Sequence, residues 1–408
     1  MRPLTGPLTG VRVLEIDGGI AAPFCTRLFA QYGAQVIKIE EPGRGDPTRH
    51  RGPFVGHRPN PETSVPFLYL NTNKQSITLD LGTKRGARIL TDLTKETDII
   101  VESTKPGMLT RWGIGWETLR AVNPHLILTS VTGFGQDGPY RDATGTEIVL
   151  AALGGIMYMS GPYDREPIMH GHPQSQFMGG LHAAGSTMIA YFNVMRGGSG
   201  EWIDVSMQAG VTHELVHVIS LFTYMGAVHG RGPRFGGSGQ NGAGNGFGGI
   251  VPFVDGFVAP DAPPDERWDE LADFLDIPAL KDDRFRSRSG RVQHAAALDA
   301  LVLPALQRTG RYDFFHHAQS NGWSTGVVQT MSDLASCPQL DARGFWTELD
   351  HPVAGPLRYP ADFCRMSETP GALIEPAPLL GQHNQAVFGD RLGYTKRECE
   401  ALRSQGVI

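Results

Sequence analysis

The feature that most constrains this chain is a change of period that repeats through its first third. Short apolar runs of strand length alternate with stretches whose apolar residues recur at helical spacing. Residues 11–16 read as a buried strand. Pro23 stands where a helix can begin, and 24–32 follow with apolar residues at the spacing of one helix face. Residues 35–39, 76–81, 98–101 and 126–131 continue the strand set, with a helix over 84–94. Strands alternating with helices build βαβ units, so the expected class is α/β with a mostly parallel sheet. The first strand is followed by Asp17-Gly18-Gly19-Ile20-Ala21-Ala22-Pro23. That run lacks the Gly-x-Gly-x-x-Gly spacing of a dinucleotide turn, so no such site is expected.

Further along, 177–195 reads as a long helix with glycine and alanine on one side. Residues 201–206 read as a strand and 208–224 as another apolar helix. Residues 230–249 are rich in glycine and nearly free of aliphatic side chains, which predicts a loop rather than a core element. Beyond them, 265–275 and 293–307 read as amphipathic helices of a separate helical domain. Short strands follow at 326–329 and 357–359, and a helix closes the chain at 396–404. A single hydrophobic core rarely grows past about 250–300 residues, so 408 residues imply more than one domain.

Composition removes several function classes. The net charge of −6 argues against a nucleic-acid binder, which usually presents a basic face. No apolar run reaches 18 residues, so no membrane-spanning helix is expected. The first ten residues lack the apolar centre of a secretory leader, and the four cysteines form no Cys-x-x-Cys pair. Together these point to a cytoplasmic protein. Glycine is abundant, 52 of 408, which suits tight turns and close backbone approach to a large ligand.

Several segments carry candidate chemistry. The turn Gly133-Phe134-Gly135 follows a strand directly, where open α/β sheets take ligands. Glu147 opens an apolar segment, as a helix-start residue or a pocket carboxylate, and Asp164 sits in a turn. Gly236-Gly237-Ser238-Gly239-Gln240 reads as a linker or as a lid that excludes water from an intermediate. His170-Gly171-His172 has a metal-like spacing, but no Cys, Asp or Glu stands ready to complete a site. Met157, Met159, Met169, Phe177 and Met178 read as core or as an adaptable acyl pocket.

Taken in order, the motifs resemble the family III CoA-transferases, the CaiB/BaiF group. The likeness rests on 10–15, Ala22-Pro23, 33–40, 43–49, 70–74, 76–80, 200–206 and Pro378-Leu379-Leu380-Gly381-Gln382-His383, and so spans nearly the whole chain. It implies a Rossmann-like large domain begun by 1–205, a linker helix at 206–228, and a smaller, mostly helical α+β domain over 229–330 with the glycine-rich loop at its start. Residues 331–408 would return to complete the large domain. It also implies two chains interlocked as a dimer, each site lying between one large domain and the partner's small domain.

Family members use an aspartate that attacks an acyl-CoA to form a mixed anhydride. CoA thiolate converts this to an aspartyl-CoA thioester, which the acceptor acid then displaces. Counting from Gly200 and from Pro167 places that step at Ser175-Gln176, so Gln176 replaces the nucleophile. The family's CoA contacts are also thinned. Glu41 stands where many members carry arginine, Thr132 and Thr144 where lysines are frequent, Ser103-Thr104 for an Asn-Phe pair, and Ile20 for a glutamine. Ala21, Leu79, Arg111, Gly133 and Phe134 survive as expected CoA contacts, alongside the altered Ile20.

The expectation is therefore a transferase subunit without its own nucleophile. A homologous chain would supply the aspartate and bind much of the acyl-CoA, while this chain lends Gly236, Gly237, Gly239 and Gln240. Its substrates would be an acyl-CoA and a carboxylic acid, with no metal, redox cofactor, nucleic acid or membrane partner. The alternatives are a self-sufficient homodimer that uses Glu147 or Asp164, an acyl-CoA racemase, and a CoA-binding protein without activity. Racemases of this family need a histidine and an aspartate where this chain has Thr146 and Gln176.

Overall fold

The computed structural model describes residues 6–162, 164–231, 249–260 and 263–408. The expected glycine lid, Gly236 to Gln240, lies outside the described residues. Six strands form one sheet: β1 (Arg12–Ile16), β2 (Gln35–Glu40), β3 (Gln75–Thr78), β4 (Ile99–Glu102), β5 (Ile127–Thr132) and β6 (Trp202–Ser206). They lie in the order β3-β2-β1-β4-β5-β6, and every pair is parallel. This is the doubly wound order, with its switch point between β1 and β4.

The register explains the two cores. Val13 faces Val36 and Ile99, and Ile99 faces Ile127, so these residues share one side of the sheet. They pack with helix α1 (Ala21–Gln31) and the long helix Gln174–Met195 in one cluster. One residue along each strand, Leu14, Ile37, Ile100 and Leu128 face the other side. There they meet Ile89, Leu90 and Leu93 of helix Lys84–Thr94. The C-terminal segment closes this second core: Val387, Phe388 and Leu402 join it, and Asp80 donates its backbone N–H to Val407 at 2.8 Å. Each fully buried aliphatic side chain here contributes roughly 1.5–3 kcal/mol.

Some elements differ from the sequence reading. The long helix begins at Gln174, three residues before Phe177, because Pro173 ends the extended stretch. The apolar segment 208–224 is two helices, Met207–Glu214 and Val216–Met225, broken at Leu215. The helix expected over 293–307 forms as Ala295–Leu306, preceded by a separate short helix Arg288–Gln293.

The chain forms two compact units. The first holds residues up to 154, 170–214 and 338–408 and contains the sheet. The second holds 155–169 and the described part of 215–337. Its core gathers Trp268, Leu271, Phe285, Leu298, Leu306 and Phe314 around the antiparallel strands Val251–Phe253, Gly256–Pro260 and Thr325–Val327.

Candidate active site

The site elements are set by what holds the carboxyl ends of the strands. Glu15 on β1, Lys38 on β2 and Lys74 just before β3 are fully buried. Lys74 donates to Glu15 at 2.7 Å, to the Pro23 carbonyl at 2.9 Å and to Asn71 at 3.0 Å. Lys38 pairs with both Glu15 and Asp46. Burial pushes Glu15 up, but Lys38 and Lys74 overcome it and bring its carboxyl down to about 2. Burial is the larger effect on Lys74 and brings it down to about 8 despite Glu15. A second cluster joins Arg49 to Glu40 at 2.6 and 2.9 Å and to Glu62 at 2.6 Å. These pairs tie the segments after β2 and before β3 to the sheet.

The turn after β1 is occupied by the protein itself. Asp17 has φ 68° and Gly19 φ 90°, and the chain then enters α1 through Ile20. A Cβ on Gly18 would lie 2.5 Å from the Asp46 carboxylate, and Gly19 N–H points at Asp46 Oδ1 at 3.4 Å. A Rossmann fold holds a pyrophosphate at this helix start. Here a carboxylate sits against it, in agreement with the missing glycine fingerprint.

Gln176 lies in the first turn of the long helix, half-buried, beside Glu147. Glu147 is the first residue of the helix Glu147–Leu153. One carboxylate oxygen accepts the Ser175 N–H at 2.9 Å. The other lies 3.4 Å from both the backbone N–H and the side-chain amide of Gln176. An anion at this end is favoured by the free N–H groups and the helix dipole. The helix is seated by small residues: a Cβ on Gly180 would come 2.5 Å from the Ala21 carbonyl, and one on Gly179 would come 2.7 Å from Met207. Ile20 and Ala21 are both buried where α1 begins, and Gly180 rests on Ala21.

The structure thus brings Glu147 and Gln176 together and stacks the long helix on Ala21. It does not gather every expected residue at one point. Leu79 lines a crevice of about 430 Å³ above the ends of β1–β4, which Arg111 does not line. Gly133 and Phe134 form the turn after β5, where Gly133 accepts from Gln208 N–H at 3.0 Å. Phe134 rests near the Tyr140 ring. Asp164 belongs to the second unit, as do Met157, Met159 and Met169. Phe177 and Met178 instead line an apolar pocket of about 800 Å³ with Ile20, Phe24 and Tyr69. His172 packs edge-on to Phe177, and no cluster of three or more metal-type ligands occurs among the described residues.

Sequence reasoning missed the buried charges. Their signal was present: Lys38 lies between Ile37 and Ile39, and Glu15 between Leu14 and Ile16, at strand positions that otherwise hold core residues.

The model of CoA-transferase family III matches residues 8–384. The chain belongs to family III of the CoA-transferases. It is 34% identical to succinyl-CoA–D-citramalate CoA-transferase of Chloroflexus aurantiacus, over 98% of each chain. It is 31% identical to succinyl-CoA:glutarate CoA-transferase of Mus musculus, over 98% of this chain and 90% of that one. The beta subunit of succinyl-CoA–L-malate CoA-transferase of C. aurantiacus matches at 29%, over 99% and 98%. A crystal structure of a CaiB/BaiF family protein from Brucella suis superposes with a TM-score of 0.84 at 29% identity, covering 95% of this chain and 99% of that one. As a CoA-transferase, the protein is an enzyme whose substrates are CoA thioesters. No described helix is long and apolar enough to cross a membrane.

Proposed function

We propose that this CoA-transferase is the nucleophile-free chain of a two-chain enzyme that moves CoA between carboxylic acids. A homologous partner would provide the aspartate that forms the anhydride and the aspartyl-CoA thioester. The observation that carries this is the first turn of the long helix, where the group beside Glu147 is the Gln176 amide. An amide is not a carboxylate nucleophile and forms no mixed anhydride. Glu147, the nearest carboxylate, is engaged by two backbone N–H groups and that amide.

Two further features support a partner chain. The long helix exposes Leu181, Ile189, Phe192 and Met195 along one face. In the second unit, helix Val216–Met225 exposes Val216, Phe222, Tyr224 and Met225. Apolar stripes of this length usually mark an interface. An interlocked dimer with a homologous chain would cover them, the first unit acting as the large domain and the second as the small one. A beta subunit among the relatives agrees with a two-chain enzyme. The relatives named for succinyl-CoA support a short dicarboxylic donor.

A second reading has one observation in its favour. Glu147 lies within 3.4 Å of the Gln176 side chain, so it could take the nucleophile's part in a self-sufficient homodimer. The two separate on expression. The chain alone, and the chain with a family III neighbour, are assayed for transfer from succinyl-CoA to a panel of dicarboxylates. Activity of the pair only is expected. Full activity of the isolated chain would overturn the subunit reading.

A further inference from the structure

The apolar pocket at the start of the long helix is walled by rings and carries one strong cation. Phe177 meets Phe24 edge-on at 4.9 Å between ring centroids, with His172 at 6.3 Å and Tyr69 at 6.4 Å. Buried Ile20 and Leu70 extend these walls. Among the described residues no Asp or Glu lines the pocket, and Arg51 is its one arginine or lysine. Arg51 is exposed, and its guanidinium has no ion-pair partner among the described residues.

A second positive charge stands behind the same wall. Arg27 is 3% exposed and donates to the Tyr69 carbonyl at 2.9 Å, the Pro360 carbonyl at 3.0 Å and Gln31 Oε1 at 3.3 Å. Its guanidinium also lies 4.4 Å from the centre of the Tyr69 ring. Tyr69 and Pro360 are themselves pocket residues, so one layer separates Arg27 from the cavity. No carboxylate pairs with Arg27 among the described residues. A buried charge without a counter-ion is costly, and its field is weakly screened in apolar surroundings. Both arginines therefore favour an anion in a cavity whose walls favour hydrocarbon. Gln176 agrees with this: Gln174 and Phe177 on either side of it line the pocket, and an amide at that position neither repels an anion nor attacks one.

The volume sets the body of the ligand. About 800 Å³ suits a drug-sized molecule. A succinate-sized dicarboxylate would leave most of the walls wet and press its second carboxylate against them. An acid with an aryl or long alkyl body covers the rings and presents its one carboxylate to Arg51, in the forked pairing a guanidinium offers.

We infer that this pocket reversibly binds a free carboxylic acid with a bulky hydrocarbon body, with Arg51 as the residue that selects the carboxylate. The inference goes beyond the proposed function, because it concerns a ligand held by this chain without covalent reaction.

Calorimetric titration of the full chain with 4-phenylbutyrate, its neutral amide and succinate, with no thioester present, tests it. The acid is expected to bind about tenfold or more tighter than the amide or succinate, the scale of one charge-assisted pair. Arg51→Gln, on an exposed side chain and so compatible with folding, is expected to bring acid and amide within about threefold of each other. Phe177→Ala is expected to weaken acid and amide alike, by about tenfold. The inference is overturned if the amide or succinate binds as tightly as the acid, or if the acid fails to bind at millimolar concentration. An unchanged acid-to-amide ratio in Arg51→Gln also overturns it. No step of transfer is read, so the outcome is decided separately from whether the chain acts alone or with a partner.

Discussion

Glu147→Gln separates an anchoring role from a nucleophilic one. In the structure the carboxylate accepts from Ser175 N–H at 2.9 Å and lies 3.4 Å from Gln176 N–H, at the start of a 22-residue helix. A glutamine keeps one acceptor, turns an NH₂ group toward the other donor, and removes the charge. Losing a helix-start acceptor costs about 0.5–2 kcal/mol, and an anion at that end contributes about 0.3–1 kcal/mol. The sites are half-exposed, so a net loss of about 1–2 kcal/mol is expected. Equilibrium urea unfolding followed by circular dichroism reads this directly. With an m-value of roughly 3 kcal/mol/M, the midpoint falls by about 0.3–0.7 M. Transfer by the two-chain enzyme should drop by less than about tenfold, since only the placement of the first turn changes. A fall of about a thousandfold or more with an unchanged midpoint would refute the reasoning and make Glu147 the attacking group.

Three further outcomes follow from other contacts. Glu15 is held at about 2 against an ordinary 4.5, so the stability it contributes is complete above about pH 4.5 and is lost as pH falls toward 2. The amount is on the order of 3 kcal/mol; acid unfolding should steepen across that window, and Glu15→Gln, which strips the carboxylate from Lys74, should destabilise at neutral pH by about 3–5 kcal/mol in thermal melts. Gln176→Asp in the isolated chain should not restore robust transfer, because the new carboxylate faces Glu147; vigorous turnover by this variant would show that nothing else is missing. Gly180→Val should cost about 2–3 kcal/mol, since its Cβ would sit 2.5 Å from the Ala21 carbonyl, and an unaltered melting temperature would contradict the helix packing described here.

The sheet was legible because its strands are continuous apolar runs, and parallel strands buried on both faces read that way. Strands expected at 98–101 and 126–131 form one residue later, as Ile99–Glu102 and Ile127–Thr132. The break in 208–224 was not legible, since Leu215 interrupts the helix without a proline or glycine at the break. The position of Gln176 at a helix start followed from motif spacing. Its meeting with Glu147, 29 residues earlier, depends on how two helices cross, which no local pattern encodes. The buried Glu15–Lys38–Lys74 cluster was hidden for a related reason. A charge in a strand reads as solvent-facing until its partner, here up to 59 residues away, is known.

Trapping the covalent intermediate tests the central claim most directly. The two-chain enzyme is incubated with succinyl-CoA, quenched with hydroxylamine, and both chains are mapped by peptide mass spectrometry. The account expects a hydroxamate on one aspartate of the partner, with Glu147 and Gln176 unmodified. A hydroxamate on Glu147, or on any carboxylate of this chain, would contradict it.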